Sequence, residues 1–453
     1  MAPLERRVRA RRADRREART MRWSEPFLPR VFSSDRASGC FPVSPRRPAA
    51  DRLSSPASPP GLKAQSLRGA APPDVSSPVE KSGGYADRDE SCSRPGEAIP
   101  ITVTRERAGL AGLSAAWDEL AAHSGSPMQQ YAWIHACADT FVQEGDLSIF
   151  AAGTAPRITA IAPLIRRGGG ARLELPAADE MYEPMDFLYA DAASLAPVTN
   201  ALARTKLPIL LRRIPAESPV IGALRRSYRG GGAVICRPVA GCPWIALDST
   251  WVRPEDKLNP GRRSDLRRAR RIAERFGPVS SEVLSPDPKA VGPLLDEAFR
   301  VELASWKGSQ GTALASDTTR GRFCRRYAVA ACERGILRVC FLRIGERAAA
   351  MQLAVECGGR FWLLKIGYDQ AFHRCSPGLL LVRETVQYAA ERGLHGYEFL
   401  GIDEPWTRIW TREVHRCVSV WACPVLWRAL APLGFDLVHQ AWRRLRLEMG
   451  IGR

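Results

Sequence analysis

The chain has 453 residues, of which 45% are hydrophobic, and 66 Lys and Arg against 48 Asp and Glu give it a formal net charge of +18. Such an excess of positive charge favours phosphates, nucleic acid or anionic lipid as partners. The twelve Cys include no Cys-x-x-Cys pair and the six His no His-Glu-x-x-His motif, which argues against a disulfide framework and predicts no metal site. No apolar run reaches the roughly 18 residues of a membrane span, so we expect a cytoplasmic protein.

Residues 1–98 differ in composition from the rest of the chain. They are rich in Arg, Pro, Ser and Ala, and runs such as 54–60 cannot bury enough apolar surface to offset chain entropy. We therefore expect a disordered leader. Its Arg-rich start leaves a nucleic-acid contact as a less favoured alternative, because charge runs of this kind are usually solvated.

Residues 99–250 are predicted to form an α/β unit. Apolar residues recur at helical spacing around 110–120 and again at 131–141. Strands are predicted at 147–152 and 158–165 and near 171–175, with three consecutive glycines from Gly168 as a hairpin turn.

The same order returns in residues 251–424. Shifting residues 148–175 by 190 positions lays them without a gap on residues 338–365, so that Ile165 falls on Val355 and Gly168 on Gly358. Few residues are identical, and the match lies in the pattern of strand, turn, strand, Gly-Gly turn and strand. Two tandem copies of one α/β unit explain this pattern, although any two β-hairpins could align in this way.

Basic helical patterns accompany the second copy. Residues 251–276 combine an apolar stripe with an Arg-rich face, which predicts an amphipathic helix that is either solvated or lines a phosphate cleft. The tail 425–453 is also basic and amphipathic. It either packs on its own domain or lies on the inner face of an anionic membrane.

A β-α-β unit at residues 360–403 carries the strongest functional signal. Residues 361–366 read as a buried strand, and the helix that follows begins at Ser376-Pro377 and ends at Gly393. A strand at 396–401 completes the unit. Backbone N–H groups and the positive end of the helix dipole point into the loop before Pro377, so the sequence predicts an anion site for a phosphate or pyrophosphate group.

The second copy resembles the GNAT superfamily of acyltransferases, in particular the CelD-type acetyltransferases of cellulose biosynthesis, and is related to Fem-type tandem GNAT proteins. The resemblance covers residues 258–410 and extends more weakly to the first copy. Its carriers are the run 262–271, Glu302 with Ser305-Trp306-Lys307, Lys365-Ile366-Gly367-Tyr368-Asp369, Ser376-Pro377-Gly378 and the run 399–410. It implies a mixed-sheet α/β GNAT-like fold.

The resemblance also implies that acetyl-CoA or another acyl-CoA is a substrate. A strand at 349–356, including Ala354 and Val355, would run beside the pantetheine arm. The pyrophosphate loop would comprise His373, Arg374, Cys375, Ser376, Pro377 and Gly378. The family loop usually places Gly where this chain has Pro377, and Gly or Ala where it has Leu379, which leaves room for an acyl donor other than acetyl-CoA.

Acyl transfer to an amine needs a base, polarisation of the carbonyl and a proton for the leaving thiolate. Candidate bases are Asp403, Glu404 and Asp369, with Tyr368 as the acid and Lys365 as a group that holds an acidic substrate or the carbonyl oxygen. Aromatic and basic residues suited to an acceptor are Trp306, Trp406, Arg408 and Trp410.

Together these features predict a leader at 1–98, a degenerate GNAT-like unit at 99–250, an active unit at 251–424 and a tail at 425–453. The expected function is transfer of an acyl group from CoA to a small amine, or to a sugar or cell-envelope precursor of polysaccharide biosynthesis. A Fem-type aminoacyltransferase that uses charged tRNA and a non-catalytic binding module are the alternatives. The acceptor and the oligomeric state are left open.

Overall fold

The computed structural model describes residues 99–122, 124–305 and 318–424, which fall in one compact unit. The predicted leader at 1–98, the tail at 425–453 and Trp306 lie outside the described residues. Within the described part of the chain, no helix is long and apolar enough to cross a membrane.

The N-terminal half contains strands β1 to β7 and helices α1 to α5. The strands are β1 Ile101–Thr104, β2 Leu147–Thr154, β3 Arg157–Arg167, β4 Arg172–Glu174, β5 Leu188–Tyr189, β6 Ile209–Pro215 and β7 Gly232–Ala246. The helices are α1 Arg107–Gly112, α2 Ser114–Ala121, α3 Tyr131–Phe141, α4 Leu195–Arg204 and α5 Pro219–Ser227.

The C-terminal half contains strands β8 to β13 and helices α6 to α9. The strands are β8 Val279–Leu284, β9 Leu337–Ile344, β10 Arg347–Cys357, β11 Arg360–Tyr368, β12 Gly396–Glu398 and β13 Val414–Pro424. The helices are α6 Pro260–Glu274, α7 Val291–Leu303, α8 Thr319–Glu333 and α9 Pro377–Glu391, and a 3₁₀ turn, Gln370–Cys375, precedes α9.

The 190-residue repeat is a repeat of strand register. Leu147 pairs with Ile165 between β2 and β3, and Leu337 pairs with Val355 between β9 and β10, so both hairpins have the same register after the shift. Each hairpin also skips one residue of its second strand, Thr159 in one half and Ala349 in the other, again 190 positions apart. A shared register and a shared bulge position confirm the two-copy pattern, because a bulge is a specific local feature.

All thirteen strands belong to one mixed sheet with the order β1-β2-β3-β4-β6-β13-β7-β12-β11-β10-β9-β8, and β5 pairs with β3. The two halves exchange their last strands. Strand β13 of the C-terminal half lies between β6 and β7 of the N-terminal half, and β7 in turn pairs with β12. The exchange makes the sheet continuous, so each half completes the other.

Two hydrophobic cores lie on this sheet. The larger contains the helices of the N-terminal half together with α7 and α8, and Trp133 on α3 meets Phe323 and Tyr327 on α8 edge to face at 4.9 Å. The smaller packs α6 and α9 against β9 to β12. Strands β9, β10 and β11 contribute side chains to both cores, so these three strands are covered on both faces.

Two elements differ from the predictions. The helix predicted over 251–276 is helical only as α6, because Pro254 opens a 3₁₀ turn and Asn259 and Pro260 start the helix anew. The long strand β7 was not predicted, since Pro238 and Pro243 interrupt its sequence pattern.

Candidate functional site

A slot opens where β11 and β12 separate. The two strands pair in parallel only from Arg360 to Trp362, while β11 continues to Tyr368. Leu400 and Gly401 both have positive φ values, 55° and 53°, which turn the chain away after β12. Beyond Trp362, no strand in the described residues pairs with the β12 side of β11, and this side borders the slot.

The slot leads to the start of α9. Ser376 lies at the N-cap position with φ 44°, as a residue in left-handed backbone, and Pro377 is the first helical residue. In the described structure the Ser376 side chain makes no capping hydrogen bond, and its backbone oxygen accepts from the N–H groups of Leu379 and Leu380. Since Pro377 has no N–H, the Gly378 N–H is the first one at the positive end of the helix dipole.

The predicted loop residues divide into two groups. His373, Arg374 and Ser376 are exposed, whereas Cys375 and Pro377 are buried. The Cys375 thiol donates to the Phe372 oxygen at 3.0 Å, and burial raises the pKa of this thiol. Cys375 therefore packs the turn, whereas His373, Arg374 and Ser376 are accessible to solvent.

The predicted pantetheine strand is corrected by the structure. Ala354 and Val355 are fully buried on β10, and both residues pair with β9 on one side and β11 on the other. Because both edges of β10 are occupied by neighbouring strands, its backbone has no groups to offer an elongated ligand. The next strand, β11, has no described strand on its β12 side beyond Trp362.

Lys365 and Tyr368 lie on β11 beside the slot. The Lys365 ammonium is 3.5 Å from the carboxylate of the fully buried Glu302 on α7. The Tyr368 ring contacts the position of Gly378, where a Cβ atom would lie 3.7 Å from its Cδ1 atom. Burial raises the pKa of the Tyr368 hydroxyl, so it keeps its proton at neutral pH.

The carboxylates of the three predicted bases form hydrogen bonds or ion pairs elsewhere in the structure. Asp369 caps the 3₁₀ turn through the Ala371 N–H at 2.9 Å and pairs with Arg347 at 2.8 Å. Asp403 forms a two-point exposed ion pair with Arg408, at 2.9 and 2.8 Å. The buried Glu404 accepts from the Trp406 indole at 2.6 Å. Each carboxylate thus has a structural partner, and the structure brings none of the three to the charged groups beside Lys365.

A different carboxylate occupies that place. Glu183 comes from the segment between β4 and β5 of the N-terminal half, and with Lys365 it lines a small cavity of about 20 Å³. Its Oε2 atom is buried without a hydrogen-bond partner in the described residues, 4.0 Å from Arg213. Burial raises the pKa of Glu183 to about 7, against the opposing effects of Arg213, the Gly401 N–H and Lys365.

Arg213 holds this region together. Its guanidinium is 1% exposed and donates to the backbone oxygens of Tyr182 and Gly401 and to Cys242 Sγ, the last at 3.0 Å. Tyr182 and Gly401 thereby connect the Glu183 segment to the chain that ends β12. The guanidinium thus fixes the position of Glu183 relative to the slot.

Sequence reasoning missed Glu183 and Arg213. An arginine inside the apolar run Ile209–Pro215 is a signal that a buried cation needs partners. Nothing local marks Glu183, which lies in a loop with other acidic residues. Its role depends on the contact between the two halves.

A basic cavity of about 430 Å³ lies near the start of α6. It is lined by the cations Lys257, Arg262, Arg408 and Arg412 and by the predicted acceptor residue Trp410, and no acidic residue of the described chain lines it. Trp406 packs edge to face on Phe399 instead. Helix α6 runs from this cavity to the turn before α9, where Phe276 meets Phe372 at 6.0 Å. Both anion-attracting surfaces therefore lie against one helix.

Residues 260–408 match the model of the acetyltransferase (GNAT) domain family. The matched segment is about a third of the chain. It begins at α6 and ends before β13, so it contains the slot, the loop and α9, while Glu183 and Arg213 lie outside it. No curated protein matches the chain in sequence.

Solved structures with a similar chain course include tandem GNAT proteins. The C-terminal domain of a protein assigned as a lysylphosphatidylglycerol synthetase from Agrobacterium fabrum is 11% identical with a TM-score of 0.49, over 73% of this chain and 96% of that one. FemX is 10% identical with a TM-score of 0.47, over 74% and 99%. A tandem GNAT protein from the clavulanic acid biosynthesis pathway is 12% identical with a TM-score of 0.40, over 72% and 98%.

Proposed function

We propose that the protein transfers an acyl group from an acyl-CoA to a small amine, with the thioester in the slot between β11 and β12. The observation that carries this proposal is the separation of β12 from β11 beyond Trp362, which opens a slot that leads to the start of α9. A pantetheine arm can lie along such a slot in the place that a neighbouring strand leaves. The N–H of Gly378, the exposed imidazole of His373 and the exposed guanidinium of Arg374 suit the pyrophosphate that follows the arm.

The remaining phosphate of CoA suits the basic cavity. Lys257, Arg262 and Arg412 supply positive charge there, and Trp410 supplies an aromatic face beside them. Arginine binds phosphate through two parallel hydrogen bonds, which favours this cavity over a solvated surface. The CelD-type resemblance supports an amino sugar or another cell-envelope precursor as the acceptor.

In the proposed reaction Glu183 is the general base. Its Oε2 atom takes a proton from the acceptor ammonium, and the freed nitrogen attacks the thioester carbonyl carbon. A C–N bond forms, the C–S bond breaks, and the CoA thiolate takes a proton from Tyr368. The nitrogen loses its second proton to water, and Tyr368 regains a proton from water. Lys365, balanced by Glu302 and Glu183, stabilises negative charge on the carbonyl oxygen.

The donor site is tested by thermal unfolding of the full-length protein with acetyl-CoA, longer acyl-CoAs and free CoA. A ligand at a hundred times its dissociation constant adds about 2.7 kcal/mol to the free energy of unfolding. With Arg374→Glu, the same stabilisation should need at least a tenfold higher concentration of the CoA compound. Arg392→Glu, the same change at the opposite end of α9, is the matched control. If no CoA compound stabilises the wild-type protein, the proposed function is wrong.

A further inference from the structure

A ligand-sized cavity of about 390 Å³ lies between the two halves, outside the slot and the basic cavity. Its walls combine apolar and aromatic side chains with a few polar groups, as small-molecule sites do. Those used below are Met185, Asp186, Tyr189, Trp362, Glu398 and Leu400. Both halves of the chain therefore contribute to it.

Asp186 is the uncompensated charge of this cavity. It is 8% exposed and accepts hydrogen bonds from the Phe187 N–H at 2.8 Å and from Ser218. No Lys or Arg of the described residues pairs with it. Burial raises the pKa of Asp186 to about 7, and no cation opposes that effect. A buried carboxyl group in this state favours a ligand that brings its own positive charge.

The other charges of the cavity are balanced. Glu398 is 1% exposed and pairs with Arg360 and, at 3.2 Å, with His415. Glu217 pairs with Arg416 at 2.7 Å near the rim. Asp186 thus gives the cavity its net negative charge, which contrasts with the basic cavity near α6.

The cavity adjoins the proposed reaction centre. Pro184 and Leu400 line it, and their chain neighbours Glu183 and Gly401 are joined by a hydrogen bond. Cys242 also lines it and accepts from Arg213, the residue that fixes Glu183. A ligand in this cavity therefore lies against the segment that carries the general base.

We infer that this cavity is the acceptor site and that it takes a small primary amine in its ammonium form, with Asp186 as the counter-charge; this inference rests on the proposed function. Trp362 and Tyr189 provide flat walls for a sugar or aromatic ring. Asp186 attracts and orients the cation, and Glu183, three residues earlier in the same segment, removes the proton at the end that faces the slot. The segment Glu183-Pro184-Met185-Asp186 thereby combines recognition with proton removal.

The test measures binding of acceptor probes to the full-length protein without an acyl donor. Glucosamine and tyramine are titrated by calorimetry at pH 7.5, each beside its hydroxyl counterpart, glucose and tyrosol. We expect at least one amine to bind at least tenfold more tightly than its counterpart. Asp186→Asn should lower that affinity at least tenfold, whereas Glu180→Gln, a change in the same segment outside the cavity, should leave it unchanged.

Binding of free CoA to the same variants separates the two proposals. If Asp186→Asn binds CoA as the wild type does, its loss of amine binding comes from the acceptor site and not from misfolding. If CoA binds but neither amine exceeds its hydroxyl counterpart, or if Asp186→Asn binds the amine normally, the acceptor site is wrong while the donor site stands. If CoA fails to bind, the proposed function is wrong, and the amine titration then shows whether the cavity binds an amine through Asp186.

Discussion

The two halves of the molecule share strand register but differ in the segment that follows their third hairpin strand. In the C-terminal half β11 is nine residues long and leads into the turn Gln370–Cys375 and helix α9. In the N-terminal half β4 has three residues and leads into the loop that carries Glu183 and Asp186. The same 190-residue shift places Glu183 opposite His373. In the C-terminal half this segment carries groups that suit an anion, whereas in the N-terminal half it supplies carboxylates.

This difference explains how the N-terminal copy can remain necessary to the C-terminal copy. The exchange of β7 and β13 joins the halves into one sheet, and the buried Arg213 connects the N-terminal loop to Gly401 beyond β12. The N-terminal half has the three-residue strand β4 before its loop, where the C-terminal half has the nine-residue β11. Its loop instead reaches the slot of its partner half, so we expect one active site made from two copies.

The largest expected effect is that of removing the base. Glu183→Gln should lower kcat by about 10²- to 10⁴-fold, the contribution of a positioned general base. The KM for the acyl donor should change little, because Glu183 lies outside the predicted donor contacts. Steady-state release of the CoA thiol, with glucosamine or tyramine as the acceptor, measures both constants. Glu180→Gln, which loses a surface pair with Arg167, should retain the wild-type rate.

The second-largest expected effect is a loss of stability when the guanidinium that joins the two halves is removed. Arg213→Met leaves several buried backbone oxygens without their donor and Glu183 without its nearby cation, so the free energy of unfolding should fall by about 3–5 kcal/mol. Urea unfolding of the variant measures the loss. An Arg416→Met control removes an exposed pair with Glu217 and should cost less than about 1 kcal/mol. Equal losses in the two variants would contradict the role given to Arg213.

The buried carboxyl groups predict a dependence of stability on pH. Asp186 has a folded-state pKa of about 7 against a usual value of 3.8, so the folded state binds its proton more tightly than the unfolded state does. Asp186 should therefore contribute most to the free energy of unfolding below pH 4 to 5, and this contribution should decrease as the pH rises to 7. Asp186→Asn should raise stability at pH 8 by about 2–4 kcal/mol.

Urea unfolding of the wild type and Asp186→Asn at pH 5 and pH 8 checks this expectation. The two proteins should differ more at pH 8 than at pH 5. A variant that loses stability equally at both pH values would show that the Asp186 carboxyl does not titrate in this range.

The smallest expected effect concerns Asp403. Asp403→Asn removes an exposed pair with Arg408, so it should change stability by less than about 1 kcal/mol and kcat by less than about twofold. The same two assays measure it. A hundredfold loss of kcat would restore Asp403 as the base and remove the need for the N-terminal half.

The sequence is sufficient to predict features that depend on local pattern. The repeat and the helix after Pro377 follow from apolar spacing, capping residues and proline geometry, whereas the anion loop stays a prediction. The separation of β12 from β11 could not be predicted, because it depends on where β12 turns away at Leu400. The family resemblance assigned Ala354 and Val355 of β10 to the ligand. Only the strand order of the sheet shows that β11, and not β10, borders the slot. Glu183 could not be found at all, since it reaches the site across the two halves.

The pH dependence of kcat most directly tests the claim that the N-terminal half supplies the base. Because Glu183 has a pKa of about 7, wild-type activity should fall by tenfold per pH unit below about pH 7 as its carboxylate is protonated. In Glu183→Gln the residual activity should show no such fall. A profile of Glu183→Gln that keeps the wild-type acid limb would contradict the account, because the titrating base would then be another residue.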